Sequence, residues 1–448
     1  MLSESEAKAL CQTVLGAVTA QDAEVSVRSR DYANLRFAGN DFLTNGQTSD
    51  RWVTVTVWVD RRKAAVTTHE TDEASLKAAV ARAEDTARVS PVDQEYVPTL
   101  GPQDYRPGKS YVAATAEIDV EKRAKTIDGV IGQYEKAEVI GAGFHQAIAE
   151  SSAIATLNGN FHYERWTLAS LSNTARTPDG GSSGFFLRNH NDIRKLDTGR
   201  IASKAVEKAL TSRNPHTMEA GRYTVILEPQ ATADLFGSLI YYFDARSAEE
   251  GRSAFSKPGS GTRLGEQMFD ERVNLYSDPW HPELPGSVRT DEGLPAEKVY
   301  LVRNGMLETL VYSRYWAMQR DAEPTPGPVN EILESSGETA SVEEMIRSTE
   351  RGLLLGRFWY IRQVDPRDLT FTGLTRDGVW YIEDGEIRYP VRNFRFNQSV
   401  VESLSPDHLL MIGPSERVGN SESQGRSSVL VPALKIANFN FTSQSEAI

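Results

Sequence analysis

The second half of the chain opens with Gly221-Arg222-Tyr223-Thr224-Val225-Ile226-Leu227-Glu228-Pro229. Residues 223–227 are rich in β-forming side chains and predict a strand, and the apolar run 231–243 that follows predicts a helix. Beyond that helix, short β-rich runs follow one another without regular helical crossovers. This order predicts an α+β fold with mainly antiparallel sheets rather than a doubly wound parallel sheet.

The remaining segments are assigned from hydrophobic periodicity and from turn residues. Helices are predicted over residues 4–19, 72–88, 117–135 and 198–213, and a capping box predicts one that begins at Ser341. Strands of the first half are predicted over residues 24–30, 32–37, 52–59, 64–68, 139–157 and 161–173. Later strands are predicted over residues 299–302, 307–312, 358–364, 369–372, 379–382, 387–391 and 429–441, and residues 244–296 are predicted to form a long polar loop.

The length of the chain indicates two domains, because 448 residues exceed what one hydrophobic core normally covers. The predicted helix near 198–213 meets Asn214-Pro215, and proline cannot continue a helix. We place the boundary there, which gives an N-terminal α+β domain of residues 1–214 and a C-terminal β-rich domain of residues 215–448.

Composition excludes several classes of function. The net charge of −13 argues against nucleic acid as the main partner, because neutralising phosphates requires a positive face. No run of about 18 apolar residues predicts a membrane span. Residues 1–6 lack the features of a signal peptide, and the single cysteine, Cys11, cannot form an internal disulfide, so a cytoplasmic protein is expected. Cys11 lies in an apolar helical pattern, which favours a small buried hydrophobe over a nucleophile.

No catalytic motif emerges from the residues themselves. The seven histidines are spread so widely that no two lie within one or two helical turns, and with one cysteine no zinc site is predicted. Gly180-Gly181-Ser182-Ser183-Gly184 matches G-x-S-x-G in letters, but a nucleophile elbow needs a following helix, and Phe185-Phe186-Leu187 follows here. We interpret the match as a loop.

Ordered motifs nevertheless run through the second half of the chain. They include Gly251-Arg252-Ser253-Ala254-Phe255, Asp291-Glu292-Gly293-Leu294-Pro295, Tyr312-Ser313-Arg314-Tyr315-Trp316-Ala317, Arg357-Phe358-Trp359-Tyr360-Ile361-Arg362, Thr372-Gly373-Leu374-Thr375-Arg376-Asp377-Gly378 and Pro390-Val391-Arg392-Asn393-Phe394-Arg395-Phe396-Asn397. Together with the opening stretch at Gly221, they resemble the TldD/PmbA family, long called modulators of DNA gyrase and understood as peptidases. The first half matches more loosely, through Leu35-Arg36-Phe37-Ala38.

The resemblance implies a subunit without the catalytic zinc. TldD-like members carry H-E-x-x-x-H and a C-terminal cysteine that hold zinc, whereas TldE/PmbA-like members lack both and pair with a TldD-like subunit. Aligned without gaps, this chain offers Gly237-Ser238 and Tyr242 where His-Glu and His would stand, and Cys11 is its only cysteine. The chain therefore resembles the TldE/PmbA kind. Zinc is then expected only in the partner, because Gly237 and Ser238 supply neither a ligand nor a base.

The same resemblance implies a non-catalytic, substrate-positioning subunit of a heterodimeric zinc metallopeptidase that acts on unfolded peptides. Residues expected at the subunit interface or peptide channel are Arg314, Tyr315, Trp316, Arg357, Trp359, Arg362, Arg376 and Asp377. Neither a nucleic acid nor a membrane is an expected partner.

Two alternatives stay open. The chain could bind peptides as a homodimer or scaffold without a TldD-like partner. It could also be an independent hydrolase that uses Arg376 and Asp377. For that pair a structural role is the simpler hypothesis, since Asp377-Gly378 is typical of a turn and Arg376 is expected to pair with a neighbouring carboxylate.

Overall fold

The computed structural model describes residues 1–259, 261–419 and 427–445. It contains two sheets of mainly antiparallel strands, with helices packed on them, which confirms the predicted α+β class. The first sheet draws its strands from residues 22–190 and the second from residues 222–444. The proposed division at residue 214 stays a prediction.

The first sheet has the strand order β3-β2-β1-β4-β5-β6, and each neighbouring pair is antiparallel. Its strands are β1 (Asp22–Ala38), β2 (Asp41–Val59), β3 (Arg62–Thr68), β4 (Ile140–Thr156), β5 (Phe161–Arg176) and β6 (Ser183–His190). The helices in this half are α1 (Glu4–Leu15), α2 (Glu73–Val89), α3 (Ala113–Ala116), α4 (Val120–Lys136) and α5 (Thr198–Thr211).

One face of the first sheet is apolar and is covered by helices. Val25 and Val55 pack with Leu76 and Val80 of α2, because inward-facing residues of a strand recur at every second position. Cys11 of α1 belongs to the same cluster, and burial raises the pKa of its thiol to about 12, so its prediction as an inert hydrophobe is confirmed.

The second sheet has the order β10-β9-β8-β11-β17-β15-β13-β12-β7, with β14 beside β13 and β16 beside β17. Its strands are β7 (Arg222–Leu227), β8 (Val273–Ser277), β9 (Val299–Arg303), β10 (Met306–Leu307), β11 (Glu331–Ser335), β12 (Arg351–Asp365), β13 (Thr370–Glu383), β14 (Glu386–Pro390), β15 (Phe394–Ser399), β16 (Leu409–Gly419) and β17 (Ser428–Gln444). The helices are α6 (Pro229–Phe236), α7 (Ala245–Glu249), α8 (Arg314–Arg320), α9 (Val342–Arg347) and α10 (Val400–Ser403). The pairs β7–β12 and β11–β17 are parallel.

Several predicted boundaries in the first half were wrong. Residues 24–30 and 32–37 form one strand, β1, because Asp31 continues the ladder opposite Ser49 and Ala149. Strand β2 begins at Asp41, not at residue 52, since its exposed first half pairs with β1 throughout. The loop predicted at residues 179–184 is shorter, because Ser183 and Gly184 already belong to β6.

In the second half, the predicted helix over residues 231–243 is also wrong. Helix α6 ends at Phe236, Gly237 is its C-cap, and Leu239–Tyr242 forms a separate 3₁₀ turn. The predicted loop 244–296 contains α7 and β8, and the strand predicted over residues 307–312 is limited to Met306–Leu307.

The segment with Asp377-Gly378 is a bulge rather than the predicted turn. Strand β13 runs continuously from Thr370 to Glu383, and these two residues together oppose Gly356 of β12. Asp377 has φ of +52°, so the bulge turns its side chain out of the ordinary alternation of the strand.

Candidate functional site

The segment expected at the degenerate metal position lies where α6 ends. Strand β7 leads into Pro229 at the start of α6, and the helix stops at the C-cap Gly237. Ser238 is exposed, and Tyr242 is half-buried with its ring edge-on to Phe371 at 5.7 Å between centroids. Two cavities meet at this segment, and Ser238 lines both.

The larger cavity, which we call the cleft, has a volume of about 770 Å³ and lies between the two sheets. Its floor is the polar face of the first sheet, with Arg28 and Arg30 of β1 and Glu150 of β4. Its wall comes from the second half and includes Gly237, Tyr241, Asp291 and Glu331.

The smaller cavity, of about 250 Å³, lies between α6 and β12. Ser238, Tyr242 and Arg362 line it, so it brings together three of the residues singled out from the sequence. Arg362 is exposed and its guanidinium stacks on the ring of Tyr360 at 4.5 Å. Tyr360 has φ of +57°, a left-handed conformation inside a strand.

A third group joins Arg357, Arg376 and Asp377. Ser183 Oγ of the first sheet donates a hydrogen bond to Asp377 Oδ1 at 2.5 Å, and Arg357 Nη1 lies 3.5 Å from Oδ2. Arg376 Nε lies 3.7 Å from Asp377 Oδ2, which confirms the predicted pairing with a neighbouring carboxylate. Burial lowers the pKa of Arg376, and its guanidinium stacks on Trp359 at 4.2 Å. This group links the two sheets.

Arg314, Tyr315 and Trp316 lie apart from both cavities, in α8. Trp316 is buried within the chain, and its Nε1 donates to Glu249 Oε2 at 3.1 Å. Arg314 Nη2 donates to the carbonyl oxygen of Pro98 at 2.6 Å. These contacts connect α8 to its own chain, and an interface role for its residues stays a prediction.

Similarity to known proteins decides the family. The PmbA/TldA metallopeptidase C-terminal domain matches residues 220–443, which is half of the chain, and the PmbA/TldA metallopeptidase domain 1 matches residues 23–87. The chain belongs to the PmbA/TldA metallopeptidase family. The resemblance drawn from the sequence motifs is therefore confirmed.

The curated relatives that the chain matches are metalloproteases. A metalloprotease of Methanothermobacter thermautotrophicus is 27% identical over 235 residues, 50% of this chain and 49% of that protein. A zinc metalloprotease TldD homolog of Saccharolobus solfataricus is 21% identical over 266 residues, 54% of this chain and 58% of that protein. The chain spans about half the length of the curated relatives it matches first.

Two solved structures share the fold over nearly the whole chain. TldE from Thermococcus kodakarensis superposes with a TM-score of 0.84 at 20% identity, covering 97% of this chain and 99% of that one. A proposed modulator of DNA gyrase from Bacteroides thetaiotaomicron gives 0.83 at 19% identity, covering 99% and 100%. At such identities the likeness shows the fold alone.

The PmbA/TldA family implies zinc, but the residues at the expected position do not fit it. A Cβ built on Gly237 would stand 2.3 Å from the carbonyl oxygen of Ala233, so a ligand side chain there requires the backbone to move. Ser238 is a weak zinc ligand in comparison with histidine, cysteine or a carboxylate. Within residues 1–259, 261–419 and 427–445, no group of three or more His, Cys, Asp or Glu side chains is placed to hold a metal ion.

None of the described helices combines the length and the apolar character that a membrane span requires.

Sequence reasoning missed the charged residues of the cleft. Arg28 and Glu150 lie on β1 and β4, which pair with each other although they are distant along the chain, and Glu331 begins a strand, β11, that was not predicted. In the sequence, Glu331 is marked only by its place before the apolar residues Ile332 and Leu333, which does not identify it as a residue of a cleft.

Proposed function

We propose that this chain is the non-catalytic, substrate-positioning subunit of a two-subunit peptidase that acts on unfolded peptides in the cytoplasm. A TldD-like partner would hold the zinc and the general base. The proposal extends the family membership, which by itself places the chain among metallopeptidase-related proteins.

The observation that carries the proposal is the end of α6 at Gly237. Zinc hydrolysis of a peptide needs protein ligands, a bound water and a base to take its proton. The crowded Cβ position of Gly237 leaves no space for a ligand, and Ser238 offers a hydroxyl where the family motif has a carboxylate base. Binding of the zinc and supply of the base are then left to a second subunit.

The edge of β12 supports the substrate-positioning part of the proposal. Of the residues of β12, only Gly352–Leu355 pair with β7. Within the described residues, the part of β12 from 361 to 365 pairs with β13 alone. An extended peptide can add to such an edge through main-chain hydrogen bonds, which tolerates many sequences. The cavity lined by Arg362 and Tyr242 lies beside this edge and offers room for a side chain.

The test measures zinc content and hydrolysis of an unfolded peptide for the purified chain, for a TldD-like subunit from the same genome, and for their mixture. We expect no zinc and no hydrolysis with this chain alone, and faster hydrolysis in the mixture than with the partner alone. Stoichiometric zinc or chelator-sensitive cleavage by the lone chain would overturn the proposal. A mixture no more active than the TldD-like subunit alone would favour the partner-independent peptide-binding homodimer.

A paired substitution tests the edge itself. Arg362→Glu should lower hydrolysis in the mixture about tenfold, because it reverses a charge that lines the cavity beside the edge. Arg367→Glu is the matched control, since Arg367 is exposed and pairs with Asp365 in the turn after β12, outside the cavity. Equal effects of the two variants would contradict a role for the edge.

A further inference from the structure

The floor of the cleft is a continuous polar patch on three neighbouring strands. Arg28 of β1 lies opposite Ser152 of β4, and Ser152 lies opposite Glu164 of β5. One row further, Arg30 lies opposite Glu150. Because residues paired across a sheet point to the same face, these side chains form one surface. This surface lies on the face of the sheet opposite to the core that contains Val25.

The charges on this floor are almost balanced. Arg28 Nη2 and Arg30 Nε lie 3.0 and 2.6 Å from the two oxygens of Glu150, so two guanidinium groups share one carboxylate. Glu164 accepts a hydrogen bond from Ser287 Oγ at 2.8 Å. The floor therefore has local partners for its carboxylates, and around Glu150 two positive charges, those of Arg28 and Arg30, face one negative charge.

Glu331 on the wall is different. Its side chain lines the cleft and the residue is only 3% exposed, yet neither carboxylate oxygen has a hydrogen-bond partner among the described residues. Burial raises the pKa of Glu331 to about 8, and the backbone N–H groups of Leu239 and Ile240 oppose this shift without completing a hydrogen bond to either oxygen. Burying a carboxyl group without a hydrogen-bond partner costs free energy. We therefore expect a ligand in the cleft to supply the missing partner.

The cleft that Glu331 lines carries charges of both signs on its wall, from Asp291 and from Arg289. Tyr241 is exposed, and the charges of Glu331 and Asp291 both raise the pKa of its phenol, after the larger effect of burial. A ligand group that donates hydrogen bonds and carries positive charge can pair with the ionised form of Glu331. The cleft volume of about 770 Å³ is within the range of pockets that hold small ligands.

We propose that the cleft binds the protonated amine of a peptide, either its α-amino group or a lysine side chain, with Glu331 as the anionic partner. The inference deepens the proposed function, on which it rests for the ligand being a peptide. On binding, the O–H bond of the Glu331 carboxyl breaks, its proton passes to solvent, and the carboxylate pairs with the ammonium. Carboxylates of the same peptide are attracted to Arg28 and Arg30 on the floor.

The experiment is titration calorimetry of the purified chain at pH 7 in two buffers that differ in ionisation enthalpy. Three pentapeptides that differ only in their amines are compared: one with a free amino terminus and no lysine, its N-acetylated form, and an N-acetylated form with one internal lysine. We expect an amine-bearing peptide to bind roughly tenfold tighter than the acetylated, lysine-free one. Binding should release about 0.9 proton, because about nine-tenths of carboxyl groups of pKa about 8 are protonated at pH 7.

Glu331→Gln should abolish both the tenfold preference and the proton release. Glu334→Gln is the matched control, because Glu334 lies in the same strand, accepts a hydrogen bond from Tyr276 and does not line the cleft. Tight binding by the free amino terminus alone identifies the α-amino group, and tight binding by the lysine peptide alone identifies the side-chain amine.

Failure of the inference and failure of the proposed function give different results. Equal binding of all three peptides, unchanged in Glu331→Gln, or no binding by the lone chain, would overturn the inference. In either case, faster hydrolysis in the mixture with the TldD-like subunit than by that subunit alone would leave the proposed function standing. No such increase would overturn the proposed function independently of Glu331.

Discussion

Asp377 and Glu331 are both buried carboxylates of the second sheet, 6% and 3% exposed, but their surroundings are opposite. Asp377 accepts a hydrogen bond from Ser183 and lies within 4 Å of Arg357 and Arg376. Glu331 has no hydrogen-bond partner for either oxygen in the described part of the chain.

This difference distinguishes a charge that is held by neighbouring side chains from a charge that can bind a ligand. Asp377 is held by side chains from both sheets, so its charge contributes to how the two sheets join. Glu331 faces a cleft with its bonding capacity unused, which is the condition expected of a binding residue. Burial alone therefore does not distinguish these two carboxylates. Burial together with the hydrogen-bond and charge partners of each group does.

The most severe test of this contrast is Asp377→Asn. It leaves Arg357, whose side chain is only 9% exposed, without its anionic partner. We expect the free energy of unfolding to fall by about 4 kcal/mol in chemical denaturation. Asp365→Asn, which disturbs an exposed pair with Arg367, should cost less than about 1 kcal/mol. Equal losses would mean that Asp377 is not a structural centre.

Glu331→Gln should raise the free energy of unfolding, whereas Asp377→Asn should lower it. Because the pKa of Glu331 is raised to about 8 in the folded state, the folded protein retains a proton that the unfolded chain releases from pH 4.5 upward. The free energy of unfolding of the unsubstituted chain therefore falls between pH 4.5 and 8, and the variant escapes this loss. We expect the variant to be about 3 kcal/mol more stable at pH 8 and nearly equal at pH 5. A difference that does not change with pH would show that Glu331 has a partner in the folded protein.

Ser183→Ala sharpens the structural side of the contrast. The variant removes the hydroxyl that donates to Asp377 across the two sheets, and the carboxylate keeps its arginine neighbours. A loss of about 1.5 kcal/mol is expected in thermal or chemical unfolding. Ser203→Ala in α5 is the control, because Ser203 is exposed and bonds only within its helix. A loss as small as that of the control would mean that the hydroxyl adds nothing to the junction.

Arg376→Gln should have the smallest effect. Arg376 is half-buried, lies farther from Asp377 than Arg357 does, and stacks on Trp359. We expect the free energy of unfolding to fall by about 0.7 kcal/mol, because partly exposed pairs are weak. A loss comparable to that of Asp377→Asn would transfer the central role from Arg357 to Arg376.

The sequence predicted those parts of the fold that depend on neighbouring residues. The capping box that begins at Ser341 is present, and the strands predicted over residues 379–382 and 387–391 correspond to β13 and β14, which form a hairpin, because both features depend on local bonds and local φ values. Strand β11 escaped prediction because it is short and its two neighbours, β8 and β17, are distant in sequence.

The candidate site was predictable only where a motif described it. The positions Gly237, Ser238 and Tyr242 came from the family pattern, and the structure places Ser238 between two cavities. Glu331 could not be recognised from the sequence, because a charge at the start of a short apolar run does not reveal whether a cation lies beside it. That information exists only once β1, β4 and the wall of the cleft are brought together.

The crowding at Gly237 also has an evolutionary consequence. A histidine gained there by mutation would bring its Cβ within 2.3 Å of the carbonyl oxygen of Ala233, so the backbone at the end of α6 would have to move first. A chain with glycine at this place therefore cannot gain a metal ligand there by a single substitution that leaves the backbone where it is.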